Sequence, residues 1–185
     1  RGEDLPGVWP SLRFLSAVRR GPLPPLGDAV IVIGGGNTAM DAARTAVRLV
    51  SPGGGVDLVY RRTRAEMPAA REELRAILEE GVTIHELLAP EAIEPREGRI
   101  ALVCRRMRLG APDASGRPRP EPVTGETETL VPDTLIPAGG QTLAGDLLRA
   151  DELPLDPLKL RLDPQGALGG AFVGGLRADC RGAAR

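Results

Sequence analysis

Gly34, Gly36 and Ala39 stand at the G-x-G-x-x-G/A spacing, directly after the apolar run Ala29-Val30-Ile31-Val32-Ile33 and directly before a helical pattern. Residues of those types in that order bring main-chain N–H groups against a pyrophosphate. Gly34 and Gly36 let the chain turn tightly and leave bare backbone for a ligand, and Ala39 fills the third small position, where strand and helix pack closely. Glycines at this spacing also occur in turns of α/β proteins that hold no nucleotide. The flanking strand and helix are what give these a ligand.

A second group of residues bears on which dinucleotide is bound. An NAD-preferring site carries an acid about twenty residues past the glycines, at the end of the next strand, bonded to the ribose 2′-hydroxyl. This chain instead runs Tyr60-Arg61-Arg62-Thr63-Arg64. Guanidinium groups meet a 2′-phosphate with paired N–H bonds and keep their charge at any physiological pH. Arginine is abundant, since Lys159 is the only lysine among 24 basic residues. Position is therefore what argues for NADP(H). Arg61 and Arg62 are the stronger candidates; for Arg64, a side chain facing water explains the residue equally well.

These residues need a frame. Ala39, Ala42, Ala43, Ala46, Val47 and Val50 recur at helical spacing, so a helix is expected over 37–50 with Asn37 as its N-cap. Ser51-Pro52-Gly53-Gly54-Gly55 stops it, and Val56 to Tyr60 reads as a second apolar strand. Strand, turn, helix and strand span about thirty residues, the size of one βαβ crossover. Upstream, Ser11 is a candidate cap for a short helix carrying Leu12, Leu15 and Val18, and Gly21-Pro22-Leu23-Pro24-Pro25 is a stiff connector. Downstream, a helix over 69–80 turns Leu74, Ile77 and Leu78 inward and stops at Gly81, ahead of a third parallel strand at Val82-Thr83-Ile84. Residues 99–109 alternate apolar and polar with a change of phase near Arg105, as in a bulged strand. Residues 110–122 read as a loop or hairpin tip, 126–131 alternate again, and 133–136 return to the parallel sheet.

The motifs Gly34-Gly35-Gly36-Asn37-Thr38-Ala39-Met40-Asp41-Ala42-Ala43-Arg44-Thr45-Ala46 and Tyr60-Arg61-Arg62-Thr63-Arg64-Ala65-Glu66-Met67-Pro68-Ala69 together carry a family resemblance. They resemble the NADPH-binding domain of the glutamate synthase small-subunit family. That family takes in the electron-input half of dihydropyrimidine dehydrogenase and related FAD-dependent, iron–sulfur-linked oxidoreductases. The resemblance spans roughly residues 1–150 and thins afterwards. It implies a Rossmann-like α/β domain of glutathione-reductase type, a parallel sheet with helices in which a small antiparallel β-meander replaces one helical crossover. By that resemblance, 1–23 are a connector from a missing FAD domain, 24–150 the NAD(P)H-binding domain, and 151–185 a partial return to the FAD domain. Gly35, Gly36, Asn37 and Thr38 would line the pyrophosphate, Arg61 and Arg62 the adenosine phosphate, and Ala138-Gly139-Gly140 the nicotinamide half. Residues 160–166 and 171–175 resemble the strand that re-enters the FAD domain. The aspartate usual after its glycine pair is Leu176 here, with Asp179 three residues on, so no FAD contact is assigned to the tail.

Composition narrows the class. A chain of 185 residues holds one full core and a small annex, and a net charge of −1 gives no global attraction to nucleic acid or an anionic membrane. No apolar run reaches membrane-span length and no signal peptide stands out, so a soluble cytoplasmic domain is expected. Cys104 and Cys180 fit neither a disulfide framework nor a C-x-x-C site and read as free thiols, too few for an iron–sulfur cluster. His85 is the only histidine, which excludes His-rich metal sites, and it reads as an edge or surface residue. No G-x-S-x-G elbow exists. Glu72, Glu73, Glu79 and Glu80 read as a solvated helix face, and Arg105, Arg106 and Arg108 as an exposed strand face. The start at Arg1 suggests a piece of something longer.

The expected function is a domain that binds NADPH and presents it for hydride transfer to FAD held on a missing flanking domain. Electrons then pass towards an iron–sulfur domain or a larger partner subunit. No residue of this chain need act as acid or base, and no metal site is expected. Alone, the fragment should bind but not turn over. The competing reading is a dinucleotide-binding scaffold or sensor without redox chemistry. A methyltransferase-like sheet is disfavoured by arginines where an acid is needed.

Overall fold

A computed structural model of the chain describes residues 2–21, 25–113 and 116–139. The chain divides into two compact units, Arg1–Gly139 and Gly140–Arg185, and all described residues belong to the first. The expected tail strands, Leu176, Asp179, Cys180 and Gly140 lie outside the described residues.

Four strands form a parallel sheet: β1 (Ala29–Ile33), β2 (Gly55–Tyr60), β3 (Thr83–Glu86) and β7 (Thr134–Pro137), in the order β3-β2-β1-β7. Three helices accompany it, α1 (Ser11–Arg20), α2 (Asn37–Val47) and α3 (Arg71–Glu79), with a 3-10 turn at Arg64–Glu66. A second, antiparallel sheet has the order β4-β5-β6, built from β4 (Leu88–Arg96), β5 (Arg99–Pro112) and β6 (Pro118–Leu130). The mixed α/β fold of the expected type is thus present, parallel sheet and antiparallel meander both included.

The continuous apolar runs of β1 and β2 follow from burial on both faces. On one face Val30, Val32, Leu58 and Ile136 pack with Ala39, Ala42, Ala43 and Ala46 of α2, Phe14 of α1 and Ile77 of α3. Alanine side chains let α2 lie close on the strands, which fixes its first turn at the end of β1. On the other face Ile31, Val59 and Leu135 meet Leu88, Ile100, Leu102 and Cys104 of the antiparallel sheet. The meander therefore does the covering that a helix does elsewhere.

Several elements differ from expectation. The cap of α2 is Gly36, in extended conformation, and Asn37 is the first helical residue. The helix ends at Val47, where the amides of Leu49 and Val50 both turn back to the Ala46 carbonyl. In α1, Pro10 takes the cap position and Ser11 is buried with Phe14, while Leu12 is 57% exposed. The inward stripe is Ser11, Phe14, Leu15 and Val18, an i, i+3, i+4, i+7 pattern anchored by an aromatic that the leucine count overlooked. In α3, Ile77 is fully buried and Leu74 packs beside it, but Leu78 faces outward.

The meander has three strands where two were expected. β4 was hidden because Pro90 and Pro95 break its pattern, and its pairing with β5 slips between Pro90 and Ala92. The bulge near Arg105 is present, between Arg105 and Met107. The expected loop 110–122 is largely strand, since β5 runs to Pro112 and β6 starts at Pro118, because β6 accommodates its prolines. Within its sheet β6 is an edge strand, where a missing N–H costs no ladder bond.

Asp133, just before β7, fastens the amino-terminal ends of β1 and β7 together. Its Oδ2 accepts the amides of Asp28 (2.9 Å) and Ala29 (3.0 Å), and its Oδ1 accepts Arg99 Nη2 at 2.8 Å. Gly27, at φ +79°, passes so close that a Cβ would lie 2.4 Å from the Asp133 Cβ. Burial pushes the Asp133 carboxyl up, but the Ala29 and Asp28 amides and the Arg99 guanidinium outweigh it, leaving a lowered pKa. A lowered folded-state pKa means stability that is present above the unfolded value and lost as pH falls through the folded one. Asp133→Ala is expected to cost about 1.5–3 kcal/mol at neutral pH. In urea melts taken at successively lower pH, the variant and the parent should converge.

Candidate functional site

The glycine turn sits at the carboxyl end of β1, the edge of a parallel sheet where ligands of such folds bind. Gly34 has φ +144° and its amide donates to the Val59 carbonyl (3.1 Å), tying the turn to β2. A Cβ at Gly34 would stand 2.8 Å from the Ala138 carbonyl oxygen, and one at Gly35 2.6 Å from the Tyr60 ring. Only glycine fits at these two positions. Nothing lies within 4 Å of the position a Gly36 Cβ would take, so that side of the turn is open. The Gly36 carbonyl accepts from Ala39 (2.9 Å) and Met40 (3.2 Å), and the amides of Gly36 and Asn37 at the mouth of α2 have no carbonyl partner among the described residues. Thr38 follows in the same first turn, and Ala39 is fully buried under it.

Ala138 follows β7 beside the turn, its amide donating to the Ile33 carbonyl at 2.8 Å. Gly139 follows, exposed. The two glycine-bearing segments therefore abut at one sheet edge, although they are about a hundred residues apart in sequence.

The three arginines part company. Arg61 is exposed and makes no ion pair or hydrogen bond through its side chain among the described residues. It directly follows Tyr60, whose ring packs on Gly35, so it emerges next to the turn. Arg64 is exposed and pairs with Glu86. Arg62 corrects the expectation that it serves beside Arg61. It is 5% exposed; its Nη2 lies 3.0 Å from Asp113 Oδ2 and its Nε donates to the Pro118 carbonyl at 2.9 Å. Its main-chain carbonyl accepts from Leu87 at 3.1 Å. Arg62 thus binds the β5–β6 turn to the end of β2, and its charge is spent there.

The remaining candidates are structural. His85 Nε2 lies 3.0 Å from Asp57 Oδ2, across the β2–β3 pair. Glu73 and Glu80 are more than a solvated face: they hold Arg44 of α2 at 3.1 and 2.9 Å. Arg105, Arg106 and Arg108 pair with Glu91, Glu128 and Glu121 of the neighbouring strands. Burial, with a smaller push from Glu128, raises the Cys104 thiol to about 12, so it stays protonated and unreactive. Among the described residues no three His, Cys, Asp or Glu side chains gather as a metal site. No helix among them is long and apolar enough to cross a membrane.

No family model matches the chain. The NADP(+)-dependent formate dehydrogenase subunit beta of Moorella thermoacetica is 42% identical over 95% of this chain and 26% of its own length. The glutamate synthase [NADPH] small chain of Halomonas elongata is 40% identical over 75% of this chain and 31% of its own. The NADPH-Fe(3+) oxidoreductase subunit beta of Geobacter sulfurreducens is 45% identical over 63% of this chain and 17% of its own. The chain thus spans less than a third of each of these relatives. Among solved structures, FprA from Mycobacterium tuberculosis, in a complex with NADPH, matches 92% of this chain and 52% of its own at a TM-score of 0.68 and 20% identity. That likeness is one of fold.

Proposed function

The chain is homologous to one stretch of the glutamate synthase small-chain family of oxidoreductase subunits, and from that premise we propose that residues 24–150 bind NADPH and orient it for hydride transfer. Residues 1–23 and 151–185 would connect this domain to one holding FAD. The relatives are oxidoreductases by name, which favours this reading over a scaffold without redox chemistry.

One observation carries the proposal: an open glycine turn, whose Gly36 and Asn37 amides have no carbonyl partner among the described residues, stands next to Arg61, an exposed guanidinium with no ion pair among them. The residues present fit the coenzyme. The Gly36 and Asn37 amides face the pyrophosphate with the positive end of α2 behind them, a field worth about 0.3–1 kcal/mol and up to about 2 when partly buried. Gly35 brings the Tyr60 ring against the turn, so the phosphate end of the coenzyme leads directly to Arg61. Arg61 meets the 2′-phosphate, and the bare turn at Ala138 and Gly139 leaves room for the nicotinamide half. The flavin, when bound on its own domain, supplies the electron acceptor. This chain moves no proton; it binds and orients. An iron–sulfur domain or larger partner subunit would take the electrons onward.

Titration calorimetry of the purified chain tests the reading. NADPH should bind at least tenfold more tightly than NADH, without oxidation in the absence of a flavoprotein. Equal affinity for the two, or no uptake of either, would reject it.

A further inference from the structure

The segment that follows β2 is fastened to the glycine turn at successive points. The Tyr60 hydroxyl donates to the Glu66 carbonyl at 3.1 Å, and Thr63 and Glu66 close a capping box around the 3-10 turn. Met67 is buried in the helix-side core. The Ala69 amide donates to the Gly35 carbonyl at 3.1 Å, and the Ala70 amide donates to Asn37 Oδ1 at 2.9 Å. The last bond is the one made by a side chain of the turn itself. Asn37 does not cap its own helix, since Gly36 holds that place without any side-chain bond. An exposed asparagine at the first helical position has its oxygen committed to a residue 33 positions away.

Arg61 and Arg64 ride on the fastened segment. A guanidinium fork recognises a phosphate only when held within a fraction of an ångström and a few tens of degrees of the productive geometry. Tyr60 fixes one end of the segment and Asn37 the other. We propose that Asn37 is a positioning residue: by holding Ala70 it sets the placement of Arg61, and so the preference for the 2′-phosphorylated coenzyme, without touching that phosphate. This rests on the reading that the turn and Arg61 share one NADPH.

Two variants of the full chain test it, each measured with NADPH and NADH by calorimetry and by amide hydrogen exchange at Ala69 and Ala70. Asn37→Ala removes the acceptor. Ala70 should lose protection while Ala69 keeps it, and the NADPH-to-NADH affinity ratio should fall about three- to tenfold, the worth of one hydrogen bond. Asn37→Asp keeps an acceptor for Ala70 and suits a helix start. It should retain both the protection and the ratio, while its charge weakens the two coenzymes alike. In an Arg61→Ala background, Asn37→Ala should no longer move the ratio, because it acts through that side chain. An unchanged ratio in Asn37→Ala overturns the proposal, whether Ala70 is released or both coenzymes weaken equally. If the parent chain shows no preference for NADPH, the function reading itself fails, a result separate from Asn37→Ala sparing an existing preference.

Discussion

Arg61→Ala is expected to weaken NADPH binding about ten- to a hundredfold and to leave NADH binding nearly unchanged. The size follows from one lost charge-assisted contact, worth about 1.5–3 kcal/mol. The selectivity follows from position: Arg61 is exposed and has no side-chain partner among the described residues, so its removal strands no buried partner among them and little stability is lost. Arg61→Lys should fall between, keeping the charge but losing the paired N–H geometry. Raising the salt concentration should narrow the gap between parent and variant, because an exposed ion contact is screened. Equal losses for NADPH and NADH would mean that Arg61 meets a phosphate common to both coenzymes, or none.

The sequence exposed those parts of the fold where one physical demand dominates. β1 and β2 are buried on both faces, and that demand writes an uninterrupted apolar run. The turn at Gly34 and Gly35 is squeezed by Ala138 and Tyr60, and that demand writes glycine. Elements answering two demands at once were harder to read. β4 is half exposed, carries two prolines and changes register midway, so its apolar residues never alternate cleanly. The helix α1 turns on Phe14, and a stripe traced by leucines alone is rotated off the true face.

The site shows the same division. Spacing located the glycine turn because the demand it answers is main-chain and local. It could not separate Arg61 from Arg62, because the chain bends after Tyr60 and the alternation of a strand no longer says which side chain turns inward. The partner that claims Arg62 lies 51 residues away in a turn whose composition reads as ordinary loop. The Asn37–Ala70 bond is likewise non-local, and nothing in a lone asparagine announces it. Contacts between distant segments decide which of two identical side chains is free to bind.

Arg62→Ala should therefore behave unlike its neighbour. The guanidinium is the donor for Asp113 and for the Pro118 carbonyl, and its side chain is only 6% exposed. Removing it takes the guanidinium from a carboxylate and a carbonyl at the joint between the end of β2 and the start of β6. Breaking a fully buried pair costs about 3–5 kcal/mol. Asp113 keeps 26% of its side-chain exposure and has a further interaction of its own, so about 2–4 kcal/mol is the expected loss here. That loss is a large fraction of a domain's whole stability. Urea unfolding should show it as a lowered midpoint, while the folded fraction keeps its preference for NADPH over NADH. Replacing both partners, as Arg62→Met with Asp113→Asn, should recover part of the loss, because no lone charge is then left at the joint. A variant as stable as the parent but stripped of coenzyme preference would return Arg62 to the phosphate and undo the assignment of Arg61 alone.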